Sequence, residues 1–240
     1  MKALLLAAGE GTRLRPITNT IPKCLVPINH KPLLEYWLEN LYQAGVEKFL
    51  INTHYLSKKV EKFVRQHPYI DNITLVYEQT LLNTAGTIIA NKKFFSYQEP
   101  FMLVHADNLS FCDFTEFIKA HKERPKGCEI TMMLFETDTP SSCGIVELDE
   151  QGIVQKFYEK IAHPPSNLAN GAVYICEPSV INFIESLNKV DADFSLDILP
   201  AYLGKIYTYK NKIYHRDIGT PESYKKAKKE YLQLMDYKLL

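Results

Sequence analysis

Short apolar segments alternate with amphipathic helical segments through the first half of the chain, and this alternation constrains the fold more than any other feature. The apolar segments are KALLLAA, KFLINT, ITLVYE and PFMLVHAD. The helical patterns between them are PLLEYWLENLYQAG, SKKVEKFVRQH and a segment from about Thr84 to Lys92. Buried strands separated by helices are typical of parallel sheets covered on both faces. The sequence therefore predicts an α/β fold, a three-layer α/β/α Rossmann-like arrangement around a mostly parallel sheet.

The second half is less regular and richer in strand patterns. A helix at DFTEFIKAHKER precedes a β-rich stretch from EITMMLF to FYEK, in which DEQG predicts a hairpin turn. NGAVYIC, KIYTYK and IYHRDI predict further strands, and SVINFIESLN, SLDILPAYLG and PESYKKAKKEYLQLM predict helices. Since no repeat, low-complexity tract or linker divides the chain, we predict a single domain.

Composition and charge exclude several classes of protein. The 240 residues are 46% apolar, which is enough for a core that folds alone. Lys plus Arg and Asp plus Glu both total 28, so we expect neither nucleic acid nor an anionic membrane as a partner. No segment approaches the ~20 apolar residues of a membrane helix, and the apolar start is shorter than a signal peptide requires. The five scattered cysteines indicate reduced structural thiols and a cytoplasmic protein.

The loop AAGEGTRLRP follows the first predicted strand and is a candidate phosphate site. Gly9 and Gly11 stand where the backbone takes φ > 0 or lets a ligand approach its N–H groups. A GxG turn by itself is as typical of an ordinary tight turn as of a phosphate site. Arg13 and Lys23 favour the phosphate site, because arginine offers a fork for phosphate oxygens and lysine a point charge for the phosphate under attack.

Two aspartates follow later predicted strands and are candidate metal ligands. Asp107 ends VHAD and Asp217 ends IYHRD, and loops after the strands of such a sheet meet at its ligand-binding edge. Each carboxylate alone is more typical of a turn or helix cap. Together they match the carboxylates that hold Mg²⁺ beside substrate phosphates, and we predict Mg²⁺ as the cofactor. His105 and His215 stand two residues earlier and are interpreted as packing or supporting residues.

The run KFYEKIAHP and the segment LANGAVYI supply a further candidate site. Strand alternation places Glu159 and Lys160 on opposite faces, unless a bulge near the strand end brings both to one cleft. A solvated edge strand would have the same pattern. The functional interpretation assigns Lys160 to a second phosphate, and Glu159 and Asn170 to the hydroxyls of a polyol.

Eight motifs in order resemble the sugar-1-phosphate nucleotidylyltransferases, also called nucleotide-diphospho-sugar pyrophosphorylases. They are LLLAAGEGTRLRPIT, PKCLVPI, LLNTAGT, VHADN, CGIVELDEQG, FYEK, NGAVYI and DIGTPESY, and they span nearly the whole chain. Within the family the chain looks most like short mannose- or heptose-1-phosphate guanylyltransferases. The resemblance implies the nucleotide-diphospho-sugar transferase type of fold over residues 1–240, with a nucleotide-binding half at about 1–110 and a sugar-phosphate-binding half at about 111–240.

The resemblance also implies a reaction in which a sugar 1-phosphate attacks the α-phosphorus of a nucleoside triphosphate, giving a nucleotide sugar and pyrophosphate. These two substrates are the expected partners, and a homo-oligomer is a further hypothesis. GTP with mannose or D-glycero-D-manno-heptose 1-phosphate is the predicted pair. Arg13 would hold the departing pyrophosphate and Lys23 the α-phosphate, while Asp107 and Asp217 would bind Mg²⁺.

Binding residues are carried over from the family motif by motif. Nucleotide contacts are implied for Ala8, Gly9, Gly11, Thr12, Arg13, Lys23, Glu78, Asn83, Thr84, Gly86 and Asp107. Contacts to the sugar phosphate are implied for Gly144, Glu159, Lys160 and Asn170.

The sequence departs from the family at the positions where the nucleotide base would be recognised. Asn83 replaces a glycine of the usual LGTAG, although asparagine tolerates the left-handed conformation. Glu78 lies five residues earlier and suits the N1–H and amino group of guanine, but look-alike uridylyltransferases also carry an acidic residue there. A uridylyl- or thymidylyltransferase acting on N-acetylmuramic acid or glucose 1-phosphate therefore stays open as an alternative.

Two rivals belong to other classes. A non-catalytic relative that only binds nucleotide or sugar would be expected to have lost some of the catalytic side chains, and all four are present. A nicotinamide-dependent oxidoreductase would need a third glycine where Leu14 stands and an acidic ribose-binding residue ~20 positions later, where the chain has PKCLVPI.

Overall fold

The structure is a computed structural model that describes residues 1–238, and its elements follow the predicted order. The strands are β1 Lys2–Leu6, β2 Pro27–Ile28, β3 Lys31–Pro32, β4 Lys48–Thr53, β5 Ile73–Tyr77, β6 Phe101–His105, β7 Asn108–Phe111, β8 Ile130–Glu136, β9 Gly144–Leu148, β10 Val154–Glu159, β11 Leu168–Cys176, β12 Ile206–Lys210 and β13 Tyr214–Asp217. The helices are α1 Leu33–Gln43, α2 Ser57–Arg65, α3 Asn83–Ala90, α4 Phe114–Lys122, α5 Ser179–Ser186 and α6 Pro221–Lys238.

One mixed sheet of nine strands organises the molecule, and the predicted α/β class is confirmed. Its main path runs β10-β9-β11-β6-β1-β4-β5, and β8 pairs with both β11 and β12. Strands β6, β1, β4 and β5 are parallel, as their intervening helices require. Antiparallel pairs enter in the second half, where β11 lies against β6, β8 and β9. The hairpin turn predicted at DEQG joins β9 to β10.

Apolar side chains cover both faces of this sheet. Leu4 pairs in register with Leu50 and Leu103, and all three belong to a cluster that includes buried residues of α3 and α5. Ala3 and Leu5 point to the other face, into a cluster with α1, α2 and α4. Burying a leucine fully is worth about 1.5–3 kcal/mol. The alternation along β1 therefore fixes helices on both sides, and the predicted three layers are confirmed.

The segment SLDILPAYLG differs from its predicted regular helix. It forms a π-helical turn at Phe194–Ile198 and a 3₁₀ turn at Leu199–Tyr202. Asp193 caps the first turn by accepting hydrogen bonds from the N–H groups of Ser195 and Leu196. Pro200 lacks an N–H, so an α-helical ladder cannot run through the segment.

A small second sheet, which the sequence did not predict, joins the two halves of the chain. Strand β13 pairs antiparallel with β7, and Asp217 lies opposite Asn108 in this register. The pairing places Asp217 beside the end of β6, where Asp107 lies. Within residues 1–238, no helix has both the length and the apolarity needed to cross a membrane. All five cysteines carry free thiols.

Candidate active site

Two cavities meet at the carboxyl ends of β1 and β6, and His105 and Asp107 line both of them. The N-terminal cavity, of about 200 Å³, is lined by Leu6, Ala8, Gly9, Asn52, Glu78, Leu81, Asn83, Thr84, His105 and Asp107. The central cavity, of about 180 Å³, is lined by Arg13, Lys23, His105, Asp107, Asn108, Phe135, Ser142, Cys143, Gly144, Glu159, Lys160, Asn170, Ala172, Ser195, His215 and Asp217. All the residues predicted to be catalytic or to bind the sugar phosphate therefore line the central cavity.

The loop after β1 has its shape because Gly11 is left-handed. Gly11 has φ 64°, and its carbonyl accepts a 2.7 Å hydrogen bond from the Thr18 hydroxyl. A Cβ at this position would lie 2.9 Å from Cγ2 of Thr18 and 3.1 Å from Cβ of Lys23. The 3₁₀ turn Thr12–Leu14 follows, with Leu14 fully buried. The glycine thus lets the loop close over the stem of Lys23, while Gly9 faces open space in the N-terminal cavity.

The two loop glycines predict opposite results on substitution. Gly11→Ala should lower the free energy of unfolding by about 1–3 kcal/mol, since alanine is strained at positive φ and its methyl group meets Thr18. Gly9→Ala should leave stability unchanged but weaken nucleotide binding, because its methyl group would occupy ligand space. Denaturant unfolding and nucleotide titration of both variants provide the test. Equal stability of the two variants would contradict this account of Gly11.

A lysine held by two carboxylates lies at the junction of the cavities. Nζ of Lys23 donates to Oδ2 of Asp107 at 2.7 Å and to Oδ1 of Asp217 at 3.2 Å. The lysine side chain is only 8% exposed, whereas a third of Asp107 and half of Asp217 remain open to the cleft. Burial opposes the charged forms of Lys23 and Asp107, but their mutual attraction outweighs it. The pKa of Lys23 is raised and that of Asp107 is lowered, so this pair stays ionised.

Arg13 lies at the rim of the same cluster, and its guanidinium group is exposed to the cleft. Its Nη2 is 4.0 Å from Oδ2 of Asp217, and the side chain is 67% exposed. An exposed contact of this length contributes little to stability. The guanidinium is therefore accessible to an incoming phosphate, and its predicted pyrophosphate contact stays a prediction.

The donor set at the junction fits a magnesium ion. Asp107 and Asp217 contact one ammonium group, so their oxygens lie close enough together to share a small cation. Both are carboxylates, the ligands that Mg²⁺ prefers. Among residues 1–238, no group of three or more histidine, cysteine, aspartate or glutamate side chains is arranged to hold a metal ion. Such a site would therefore be completed by phosphate oxygens of a substrate, as Mg²⁺ sites commonly are.

Glu159 and Lys160 both reach the central cavity, although alternation along β10 separates them. The strand ends at Glu159, and Lys160 adopts φ 49°, which turns its side chain back toward the cleft. Nζ of Lys160 lies 2.8 Å from Oε1 of Glu159. The bulge in this hairpin lies at the start of the strand, between Val154 and Lys156, so a left-handed residue replaces the expected bulge near the end. A Cβ at Gly144 would lie 2.6 Å from Cζ of Phe157 and 2.9 Å from Oε2 of Glu159, which explains the glycine there.

Asn170 is oriented before any ligand binds. Its Nδ2 donates to the Tyr174 hydroxyl at 2.6 Å, and its Oδ1 accepts from the N–H of Ala172 at 2.9 Å. An amide has two donors and two acceptor positions, so one of each remains for a hydroxyl. Ala172 has φ 53° and lies where the register between β11 and β8 shifts. The shift brings Asn170 to the cleft.

Glu78 forms the floor of the N-terminal cavity and is buried. Its Oε1 accepts from Nδ2 of Asn52 at 2.9 Å and from the Thr87 hydroxyl at 2.6 Å. Asn52 in turn accepts from the N–H of Ala7 at 2.8 Å. Only a long contact, 3.4 Å from the N–H of Leu82, occupies Oε2. Oε1 of Glu78 is thus used in hydrogen bonds within the protein, and Oε2 is available to a nucleotide base.

The start of α3 packs on the segment before the π-helical turn. Asn83 has φ 58°, the left-handed conformation expected of it, and its Nδ2 donates to the Asp191 carbonyl at 2.9 Å. The hydroxyl of Thr84 accepts from the N–H of Phe194 at 2.6 Å. Gly86 is buried under the Val190 carbonyl, 2.2 Å from where a Cβ would lie. Gly86 supports the wall of the cavity, and its predicted nucleotide contact stays a prediction.

Some predicted residues lie off the cavity walls, and some wall residues were missed. Gly11 acts through loop shape, and Thr12 is exposed beside the cleft. Asn52 and Ser195 line the cavities but were not predicted. Asn52 is a polar residue near the end of a buried strand, and this pattern in the sequence could have identified it as a cavity residue. Ser195 is placed only by the π-helical turn, which no pattern in the sequence indicates.

The pKa values of the two histidines are lowered, which favours their neutral forms. Burial lowers the pKa of His105, and it lowers the pKa of His215 to about 3. The ring of His215 lies 4.5 Å from the ring of Phe135, consistent with the predicted packing role. Its Nδ1, however, is buried without a hydrogen-bond partner among the described residues.

Comparison with known proteins identifies the family. The model of the family described as Nucleotidyl transferase matches residues 2–234. This chain belongs to that family. The catalytic subunit beta of mannose-1-phosphate guanylyltransferase from Danio rerio is 32% identical over 237 residues, 97% of this chain and 65% of the relative. A UTP–glucose-1-phosphate uridylyltransferase from Synechocystis is 33% identical over 80% of this chain and 53% of the relative. The chain thus spans less than two thirds of the length of these nucleotidyl transferases.

A solved structure of similar size supports the same membership. HddC from Yersinia pseudotuberculosis, crystallised with GMP-PN, is 26% identical to this nucleotidyl transferase family member with a TM-score of 0.79. The match covers 96% of this chain and 99% of that one. The family and the predicted fold are therefore both established.

Proposed function

We propose that this family member is a sugar-1-phosphate nucleotidylyltransferase, which couples a sugar 1-phosphate with a nucleoside triphosphate and releases pyrophosphate. The observation that carries the proposal is the Lys23 ammonium between two carboxylates, at the meeting point of two cavities. The glycine loop lines the N-terminal cavity, which suits the nucleotide. Glu159, Lys160 and Asn170 line the central cavity, which suits the sugar phosphate.

The reaction needs charge neutralisation and alignment more than acid–base chemistry. An oxygen of the sugar phosphate forms a bond to the α-phosphorus, the bond from that phosphorus to its bridging oxygen breaks, and pyrophosphate leaves with the electron pair. The attacking oxygen is already ionised, so no general base is required. Lys23 would offset the charge on the α-phosphate, Arg13 would hold the leaving pyrophosphate, and Lys160 would hold the attacking phosphate.

Mg²⁺ held by Asp107 and Asp217 would supply a second positive charge for the phosphates. Nζ of Lys23 contacts the same two carboxylates, at 2.7 and 3.2 Å. These contacts hold the two carboxylates close enough together to share a cation. Their partial exposure leaves oxygens open to the cleft.

The division of the chain into two halves is part of the proposal. All ten residues that line the N-terminal cavity lie at or before Asp107, which supports a nucleotide-binding half at about 1–110. The residues assigned to the sugar phosphate line the central cavity and all follow residue 110, which supports a sugar-phosphate-binding half at about 111–240: Gly144, Glu159, Lys160 and Asn170. Cytoplasmic location and homo-oligomer formation stay predictions from the sequence.

GTP is the proposed nucleotide, and mannose or D-glycero-D-manno-heptose 1-phosphate the proposed partner. Two observations support guanine: relatives are named as mannose-1-phosphate guanylyltransferases, and Oε2 of Glu78 is occupied by a 3.4 Å contact from the N–H of Leu82 rather than by a short hydrogen bond. The Synechocystis relative named as a uridylyltransferase favours UTP as the second candidate. All four catalytic side chains meet at the junction, which argues against a non-catalytic relative.

A substrate matrix tests this proposal. Pyrophosphate release would be measured with Mg²⁺ for GTP, UTP, dTTP, CTP and ATP against mannose, heptose, glucose and N-acetylmuramic acid 1-phosphates. We expect the highest rate with GTP and mannose or heptose 1-phosphate. A preference for UTP would move the assignment to the uridylyltransferases. If no combination released pyrophosphate, although the protein was folded and bound nucleotide in calorimetry, the proposed catalytic activity would be contradicted.

A further inference from the structure

Asn52 connects three parts of the N-terminal cavity, and its side chain is almost fully buried. It lies near the end of β4 and is 3% exposed. Its Oδ1 accepts a 2.8 Å hydrogen bond from the N–H of Ala7, directly after β1. Its Nδ2 donates to Oε1 of Glu78 at 2.9 Å and has a longer contact, 3.4 Å, with the Thr87 hydroxyl of α3. Both ends of the amide are used within the protein, so Asn52 acts on a ligand through its neighbours.

The direction of these hydrogen bonds is fixed by the main chain. A backbone N–H can only donate, so the N–H of Ala7 has to face the amide oxygen of Asn52. The NH₂ group of Asn52 therefore faces Glu78, and the atom of residue 78 that lies there has to be an acceptor. The Thr87 hydroxyl is a second donor to the same oxygen, at 2.6 Å. Asn52 thus determines which side of residue 78 points into the protein as an acceptor.

The same hydrogen bonds determine which atom of Glu78 remains for a nucleotide base. Glu78 lines the N-terminal cavity, and Oε2 is the oxygen that lacks a short hydrogen bond. The N–H of Leu82 lies 3.4 Å from Oε2, so a donor and an acceptor lie side by side. Guanine, uracil and thymine carry a ring N–H beside a carbonyl group, which matches this pair. Adenine and cytosine carry a ring acceptor beside an amino group, which is the reverse arrangement.

We infer that Asn52 is a positioning residue for base selection, which holds residue 78 so that an acceptor atom faces the base. This inference rests on the proposed function, which assigns the N-terminal cavity to the nucleotide, and it adds a residue that does not itself contact the substrate. Both oxygens of the Glu78 carboxylate are acceptors, so in the native protein Asn52 fixes the position of the group. With a glutamine at this position, Asn52 would also decide whether the amide oxygen or the amide nitrogen faces the base.

Glu78→Gln is the first test, because it makes the two sides of residue 78 different. The new amide oxygen would face Asn52 and Thr87, and the new NH₂ group would face the base. Dissociation constants would be measured by calorimetry with Mg²⁺ for the preferred nucleotide and for its partner of equal ring size, ATP for GTP or CTP for UTP. We expect the ratio of the two constants to change at least about tenfold in favour of ATP or CTP.

Exchanging donor and acceptor across the 2.9 Å contact is the second test. In the double variant Asn52→Asp with Glu78→Gln, one carboxylate oxygen would keep the bond from Ala7 and the other would accept from the new NH₂ group. The Thr87 hydroxyl would donate to the Asn83 carbonyl, 2.9 Å away. The amide oxygen would then face the base again, and we expect the ratio to return to within about threefold of wild type. Asn52→Asp alone should weaken binding of all nucleotides, because two carboxylates would face each other.

The outcomes separate this inference from the proposed function. A folded Glu78→Gln protein with the wild-type ratio would overturn the inference even if the double variant did not fold. A folded double variant with the ratio of Glu78→Gln would also overturn it, since a merely structural role for Asn52 predicts no rescue. Wild-type protein that prefers ATP or CTP would overturn it as well. Rescue in a protein that releases no pyrophosphate would support the inference and overturn the proposed function, and binding of no nucleotide would overturn both.

Discussion

Replacing Lys23 with methionine is expected to lower the rate of pyrophosphate release by about 10²–10³-fold, the usual cost of losing a preorganised group that stabilises transition-state charge. Methionine keeps an unbranched stem in the buried slot but removes the ammonium that lies 2.7 Å from Asp107 and 3.2 Å from Asp217. The loss should appear in kcat rather than in KM for the nucleotide, because the charge develops on the α-phosphate during the reaction. Steady-state rates at saturating Mg²⁺ give the measurement.

A lysine outside the cleft provides the matched control. Lys31 pairs with Glu39 at 2.6 Å and lines neither cavity, so Lys31→Met should keep the wild-type rate. Circular dichroism and thermal unfolding of both variants separate loss of chemistry from loss of fold. A Lys23→Met enzyme within threefold of wild type would remove Lys23 from the mechanism.

Asp217→Asn is expected to raise the Mg²⁺ concentration needed for half-maximal rate by at least about tenfold, since the site loses one of its two anionic ligands. The substitution conserves side-chain shape, and Asp107 alone would remain as a carboxylate beside Lys23. The rate at saturating Mg²⁺ should fall as well, because asparagine carries no negative charge to attract the cation. Titration of the rate with Mg²⁺ at fixed substrate concentrations gives both quantities.

An aspartate remote from the cleft controls for general effects of charge. Asp71 is exposed and lines neither cavity, so Asp71→Asn should leave the Mg²⁺ titration unchanged. An Mg²⁺ titration of Asp217→Asn that overlays the wild-type curve would contradict a metal-binding role for Asp217. The same result would leave Asp217 as a partner of Lys23 alone.

Local periodicity predicted the elements well because it records which faces are buried. The apolar runs of β1, β4 and β6 and the helices between them appear where the sequence places them. The irregular 194–202 segment was predicted poorly, since its hydrogen bonds depend on a cap at Asp193 and a proline rather than on a repeating pattern. The strand at β13 was predicted within IYHRDI, but β7 and the pairing of the two strands were missed, because β7 has only four residues and pairing between distant segments leaves no local pattern.

The sequence by itself determined most of the elements and the family, and it nominated the residues of the candidate site, because apolar periodicity and motif spacing are local properties of the chain. Only the tertiary structure decided which residues share a wall. The pairing of Asp217 with Asn108 joins distant segments, and so does the left-handed turn at Lys160, whose N–H donates to the Cys143 carbonyl. The physical reason is that register and positive φ are set by packing between elements, and that packing fixes which polar groups, such as His215, are left without a partner.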